Sequence, residues 1–282
     1  MLSCTAAATA WDDALIPRAD DCPPLWKEAQ MPLLPGAEPY RHQGGPVGVL
    51  VCHGFTGSPH SMRPWAQALA GAGLSVSMPL LPGHGTHWRD LNVTRWPDWY
   101  ATAEREFDLL AKECDQVFLC ALSMGGLLSL HLAAERGPAV SGLVLVNPLV
   151  RMPGQAHRAL PLVRHLVPSL PGISDDVAMP GVTEAGYTRT PLHAAHSMAQ
   201  LTRIVQAELP QVTQPLLLFR SRKDNVVPPP SAELLLSRIS STDVEERICE
   251  RSFHVATLDY DAEMIFEGSL DFIRRLTAPA EG

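Results

Sequence analysis

Short runs of almost unbroken apolar residues alternate along the chain with longer stretches in which apolar positions return every three or four residues. The runs are VGVLVCH (47–53), LSVSMP (74–79), QVFLCAL (116–122), VSGLVLVN (140–147), PLLLFR (215–220) and VEERIC (244–249). Turn residues bound them, and the middle runs are nearly continuous in Val and Leu, the pattern of strands buried on both faces. Between them lie HSMRPWAQALAGAG (60–73), PDWYATAEREFDLLAKE (97–113), GGLLSLHLAAERG (125–137), SAELLLSRI (231–239) and AEMIFEGSLDFIRRL (262–276). In the second of these, Trp99, Ala103, Phe107 and Leu110 recur at helical steps. Strands alternating with helices predict an α/β fold, a mostly parallel sheet with helices on both faces.

One interval breaks the rhythm. From 148 to 209 the strands are too far apart for a single crossover, and a structureless loop of that length inside a compact domain is improbable. The interval holds MPGQAHRALPLVRHLVPSLPGISDD (152–176), rich in proline and apolar residues, and then HAAHSMAQLTRIVQAEL (193–209), which reads as a helix. The expected organisation is therefore a core of residues 31–147 and 210–282, an inserted cap or lid over 148–209, and an N-terminal extension over 1–30.

Composition narrows the classes. A length of 282 residues suits one large α/β domain with an insertion. The net charge is −8, from 22 basic and 30 acidic side chains, and the sole basic cluster is RSRKD (220–224), so a nucleic-acid partner is not expected. No apolar run approaches 18 residues, so no membrane span is expected. The first residues lack the basic and apolar regions of a signal peptide, and the six scattered cysteines form no CxxC pair. Free thiols in a reducing cytoplasm are the expectation.

The candidate chemistry begins at CALSMGG (120–126). Ser123 follows an apolar strand and precedes a small-residue helix start, the context of a G-x-S-x-G nucleophile turn, but Ala121 stands where the first glycine belongs. A serine that merely caps an ordinary helix is the plain alternative. If the turn is live, Ser123 carries the backbone strain and Ala121 keeps ordinary strand angles. A serine hydroxyl needs an adjacent base, and the base an orienting acid, in the chain order Ser…Asp…His. Asp224 follows the strand PLLLFR and His254 follows VEERIC, both at strand ends where open parallel sheets place their sites. A turn-capping aspartate and a surface histidine are the bland readings of each alone. Asp243 begins a strand, at the wrong end of the sheet, and Asp259 and Asp261 come after the histidine. His84 and His87 precede the serine and belong to a loop; His193 and His196 lack a third ligand at a recognisable spacing, so no metal is expected. The main-chain N–H groups of Met124 and of Phe55, in the loop HGFTGSPHSM, are the candidate donors to an oxyanion.

Together the segments LVCHGFTGSPHSMRP, PLLPGHGTHWRDL, ALSMGG, RKDNVVPP and SFHVATLDYD resemble those of bacterial monoacylglycerol lipases and related carboxylesterases of the α/β-hydrolase superfamily. The likeness runs from about Leu34 to about Leu276, loosely over most of 148–180. It implies a catalytic set of Ser123, Asp224 and His254 with oxyanion donors at Phe55 and Met124, acting without cofactor on a small ester or lipid. It also implies that Glu184, in VTEAGYTRTP, hydrogen-bonds the glycerol hydroxyls, although that segment is not a strict copy. A solvated glutamate is the alternative for Glu184. A general carboxylesterase, another hydrolase of the fold, and a non-catalytic lipid binder are the alternatives for the chain. The apolar positions of HRALPLVRHLVPSLPG are expected to line an acyl channel or touch a lipid surface.

Overall fold

All six apolar runs form strands, and each helical pattern forms a helix. The computed structural model describes residues 32–278. The N-terminal extension expected over 1–30 lies outside the described residues. The first half of the chain runs β1 (Tyr40–His42), β2 (Val47–Cys52), α1 (Arg63–Gly71), β3 (Ser75–Met78), α2 (Trp88–Val93), α3 (Trp96–Glu113), β4 (Gln116–Leu122), α4 (Met124–Arg136) and β5 (Gly142–Val146). The second half runs α5 (Leu160–Val163), β6 (Ser169–Pro171), β7 (Arg189–Pro191), α6 (Leu192–Glu208), β8 (Leu216–Ser221), α7 (Pro230–Arg238), β9 (Val244–Cys249) and α8 (Ala262–Thr277).

Seven of the strands make one sheet in the order β1-β3-β2-β4-β5-β8-β9, parallel throughout except for β1, which pairs antiparallel with β3. Alternate side chains of the central strands feed two cores, as a two-residue period requires. Leu119, Ala121, Leu143, Leu145, Leu216 and Leu218 pack with the α3, α4 and α7 side, which buries Trp99, Phe107, Leu127 and Leu235. Phe118, Cys120, Val144, Val146, Leu217 and Phe219 pack with Trp65 and Leu69 of α1 and with Ile265 and Phe272 of α8. The predicted stripe Trp99, Ala103, Phe107 and Leu110 is buried along its whole length.

The interval between β5 and β8 holds α5, the two-stranded ribbon of β6 and β7, and α6. Its second half is firmly attached. α6 buries Leu192, Ala195, Met198, Leu201 and Val205, and His131 Nδ1 of α4 lies 2.7 Å from Glu208 Oε2 at its end. Its first half is different: Leu162 and Leu166 are 76% and 82% exposed. The elements absent from the sequence reading are the short ones. β1, the β6–β7 ribbon, α2 and α5 have three to six residues each, too few to show a period.

The last strand is a sheet edge with an unusual face. β9 reads VEERIC, and across to β8 Arg220 Nε donates to Glu246 Oε1 at 2.8 Å, while Arg247 Nε donates to Glu245 Oε1 at 2.6 Å. Among the described residues, no helix is long and apolar enough to cross a membrane.

Candidate active site

β4 ends at Leu122 and α4 begins at Met124, so a single residue turns the chain from strand to helix. That residue is Ser123, at φ 56° and ψ −114°. A non-glycine residue there stores roughly 1–3 kcal/mol of strain. Its N–H donates to Val146 O at 3.0 Å, and its carbonyl accepts from Gly126 N at 3.0 Å and Leu149 N at 3.2 Å, which over-determines the turn. Ala121 sits inside β4, paired with Cys52 and Leu145, and is not among the residues of positive φ. The strain is on the serine and the alanine is an ordinary strand residue, as expected. What the turn demands lies on the other side. A Cβ on Gly125 would stand 2.3 Å from Cys52 O and 2.9 Å from His53 O, so only glycine lets α4 start this close to β2.

Asp224 and His254 come together at the ends of β8 and β9. His254 Nδ1 donates to Asp224 Oδ2 at 2.8 Å, and Asp224 Oδ1 accepts from Val226 N at 2.8 Å and Val227 N at 2.7 Å. With Nδ1 committed, Nε2 is the ring nitrogen left for the cavity. Burial opposes charge on His254, but the hydrogen bond and charge of Asp224, with Glu184 and Asp176, outweigh it and raise its pKa above the ordinary histidine value.

Ser123, His254 and Glu184 all line one cavity of about 620 Å³. Gly54, Phe55 and Thr56 form the wall beside the serine. His53 fixes that wall. Leu81 N–H donates to His53 Nε2 at 3.2 Å, so Nδ1 carries the proton and donates to Gly54 O at 3.0 Å. The Gly54 carbonyl shares its peptide plane with Phe55 N–H, so holding one aims the other. Burial pulls the His53 pKa down to about 4, which keeps it neutral. Met124 is the first residue of α4, and its N–H has no intrahelical acceptor.

Glu184 reaches the cavity from the interval between β5 and β8. It is 8% exposed, and a Cβ on Gly57 would sit 2.6 Å from its Oε1, so the glycine admits the carboxyl. Burial, opposed by His254 and reinforced by Asp175 and Asp176, pushes its pKa up to about 7.

The remaining candidates have other duties. Asp243 pairs with Arg275 at 2.8 Å; Asp259 accepts from Ala178 N, Met179 N and Phe253 N; Asp261 accepts from Ser252 Oγ at 2.7 Å. His84 is buried edge-on to His53 and Trp99, and His87 caps α2 by accepting from Arg89 N at 3.1 Å. His193 and His196 lie on α6, His193 edge-on to His165. Two residues were not singled out in the sequence. Asn147, at φ 45°, donates to His254 O at 2.8 Å and Ser221 Oγ at 2.9 Å, and accepts from Ser221 N at 2.8 Å. Its place at the end of an apolar run was the available signal. Asp176 accepts from His254 N and from Asn225, and nothing in its surroundings in the sequence announces it.

Residues 47–261 match the family described as serine aminopeptidase, S33. The chain belongs to that family. Within it, the chain is 44% identical over 246 residues to a thermostable monoacylglycerol lipase of Bacillus sp. (strain H-257), covering 87% of this chain and 98% of that one. It is 23% identical over 242 residues to a carboxylesterase of Bacillus subtilis (strain 168), covering 85% and 97%. Among solved structures, one from work on LipS and LipT, two metagenome-derived lipolytic enzymes, has 40% identity and a TM-score of 0.84, with 86% of this chain and 100% of that chain covered. The monoacylglycerol lipase of Paleococcus ferrophilus, at 17% identity and a TM-score of 0.70 over 85% of this chain and 100% of that chain, shares the fold. This S33 hydrolase therefore has the α/β-hydrolase fold, and the resemblance read from its five motifs is borne out.

Proposed function

We propose that this S33 hydrolase cleaves carboxylic esters through an acyl-enzyme on Ser123, with monoacylglycerols as its substrates. The observation that carries the reading is the convergence of a strained serine, an Asp-held histidine and a buried carboxylate on one apolar-walled cavity. His254 Nε2 takes the proton as Ser123 Oγ attacks the ester carbonyl. Asp224 fixes the tautomer and stabilises the imidazolium. The N–H groups of Phe55 and Met124 receive the oxyanion, each worth about 3 kcal/mol. The alcohol leaves with the proton from His254. Water then attacks the acyl-enzyme by the same relay, returning the serine and releasing the acid.

The interval 148–209 acts as the lid over this site. Leu149, Met152, Leu160, Val163, Leu170 and Ile173 supply much of the cavity wall and suit a medium or long acyl chain. Glu184 suits the other end, because a carboxylate accepts from two vicinal hydroxyls. The 44% identical relative, named a monoacylglycerol lipase, supports the same substrate class. Glu184→Ala lowers turnover of a monoacylglycerol by roughly 10- to 100-fold, the worth of hydrogen bonds to a charged group. A p-nitrophenyl ester of the same acyl chain is hardly affected. Because the Glu184 pKa is near 7, the wild-type preference for the glycerol ester rises with pH through that range and is flat in the variant. Equal loss on both esters removes Glu184 from headgroup binding.

The exposed Leu162 and Leu166 place an apolar tip on the lid that fits transient contact with a lipid surface. Leu162→Ser with Leu166→Ser lowers activity on an emulsified long-chain substrate by roughly tenfold or more, since even partial burial of two leucines is worth over about 1.4 kcal/mol. A soluble short-chain ester serves as control, and parallel losses on both would discard the contact. Four free cysteines among the described residues, Cys52, Cys114, Cys120 and Cys249, favour a reducing cytoplasm as the setting.

A further inference from the structure

The lid contributes more than walls. Asp176, between the ribbon strands β6 and β7, is 9% exposed and touches both loops that carry the proton relay. Its Oδ2 accepts from His254 N at 3.1 Å and Asn225 N at 3.2 Å, its Oδ1 from Asn225 Nδ2 at 2.6 Å, and its carbonyl from Val255 N at 3.1 Å. Asn225 is the residue next to Asp224, and Val255 the residue next to His254. One side chain thus ties the acid loop to the base loop. Its neighbour Asp175, at φ 56°, holds Glu184 N through Oδ1 at 2.6 Å.

We infer that Asp176 is a positioning residue for the proton relay, a second carboxylate supplied by the lid that holds His254 in register and stabilises its imidazolium. This rests on the assignment of Ser123, His254 and Asp224 proposed above. Three carboxylates face His254: Asp224 on its Nδ1, Asp176 beneath its backbone, and Glu184 across the cavity. Asp175 faces Glu184, Asp259 accepts from Phe253 N, and Lys223 lies over the Phe253 ring at 4.7 Å. Asp224 anchors the ring and Glu184 belongs to the substrate. Among the described residues, the hydrogen-bond partners of Asp176 are Asn225, His254 and Val255, on the two loops of the relay.

The sign of the effect follows. A base acts when neutral, so the acid limb of kcat/KM reports the pKa of His254 in the free enzyme. Removing a facing negative charge lowers that pKa, and the limb moves to lower pH. The imidazolium formed in the transition state loses stabilisation as well, so kcat falls. Ground-state binding of the ester involves neither effect, so KM stays near the wild-type value.

The test is the pH dependence of kcat and kcat/KM for Asp176→Asn and Asn225→Ala on a p-nitrophenyl ester. Thermal midpoints and Ser123 labelling by a fluorophosphonate are measured in parallel. Asp176→Asn is expected to shift the acid limb to lower pH and to lower kcat roughly 10- to 100-fold, the range for small misplacement of reacting groups. Asn225→Ala keeps the carboxylate and removes one of its ties, so kcat falls with the limb unmoved. An unmoved limb in folded Asp176→Asn, or a change confined to KM, overturns the inference. Should Asp176→Asn not fold, wild-type kcat in Asn225→Ala overturns it instead. Ester turnover that survives Ser123→Ala would show the site assignment itself to be wrong, a failure distinct from either of these.

Discussion

Ser123→Ala abolishes ester turnover, by roughly 10⁴- to 10⁶-fold, and leaves a folded protein. The size follows from the role. In the proposed mechanism no acyl-enzyme forms without Oγ, and what remains is whatever the proposed oxyanion donors and the cavity do for attack by water. The fold survives because the hydroxyl takes no part in holding the turn. Ser123 is fixed by its backbone, through Val146 O, Gly126 N and Leu149 N, and alanine makes the same three bonds. Alanine at φ 56° carries about the same strain as serine, so the melting temperature should stay close to wild type. The measurement is hydrolysis of a p-nitrophenyl ester beside a thermal melt and fluorophosphonate labelling. Turnover within tenfold of wild type in the alanine variant would remove the serine from the mechanism.

Gly125→Ala damages stability and catalysis together. The added methyl meets the carbonyl of Cys52 at 2.3 Å and that of His53 at 2.9 Å, and neither is the end of a flexible side chain. α4 or the end of β2 must move. We expect a loss of about 3 kcal/mol or more in unfolding free energy, at the upper end of overpacking effects. Whatever folds has a displaced His53–Gly54–Phe55 segment, so the proposed oxyanion donors leave register and kcat is expected to drop by about 100-fold. Denaturant unfolding and kcat on the same preparation report both effects. A variant of wild-type stability would mean that α4 and β2 do not approach as closely as described.

These two positions show how far the sequence could be read. The six strands and the long helices were legible because each repeats its period several times, as Trp99, Ala103, Phe107 and Leu110 do in α3. The placement of Ser123, Asp224 and His254 at strand ends was legible because topology alone puts strand ends together. Three-residue pieces such as β1 carry no period and form only because a neighbour offers hydrogen bonds. Asp176 was not legible for a related reason. Its work consists of contacts 49 and 78 positions away in the chain, with Asn225 and His254, and no local pattern encodes them. The same holds for His53, whose bond to Gly54 O reveals its purpose only when Leu81 is seen to fix its tautomer. The alanine at position 121 reads as a tolerated variant of the turn, and its ordinary strand conformation agrees. The structure relocates the requirement to Gly125, where helix meets strand.

The charged face of β9 has a consequence for how the molecule behaves in a crowd. A sheet whose last strand has a free outer edge offers a ready template to any other extended chain, including a second copy of itself. Here that margin carries Glu245, Glu246 and Arg247 in a row, with Arg220 beside them. An incoming strand would have to strip water from these ions and break their pairings before it gained a ladder of hydrogen bonds. Leu162 and Leu166 leave apolar surface exposed on the interval between β5 and β8. The ionic margin of the sheet disfavours a second route to association, by strand addition at its edge.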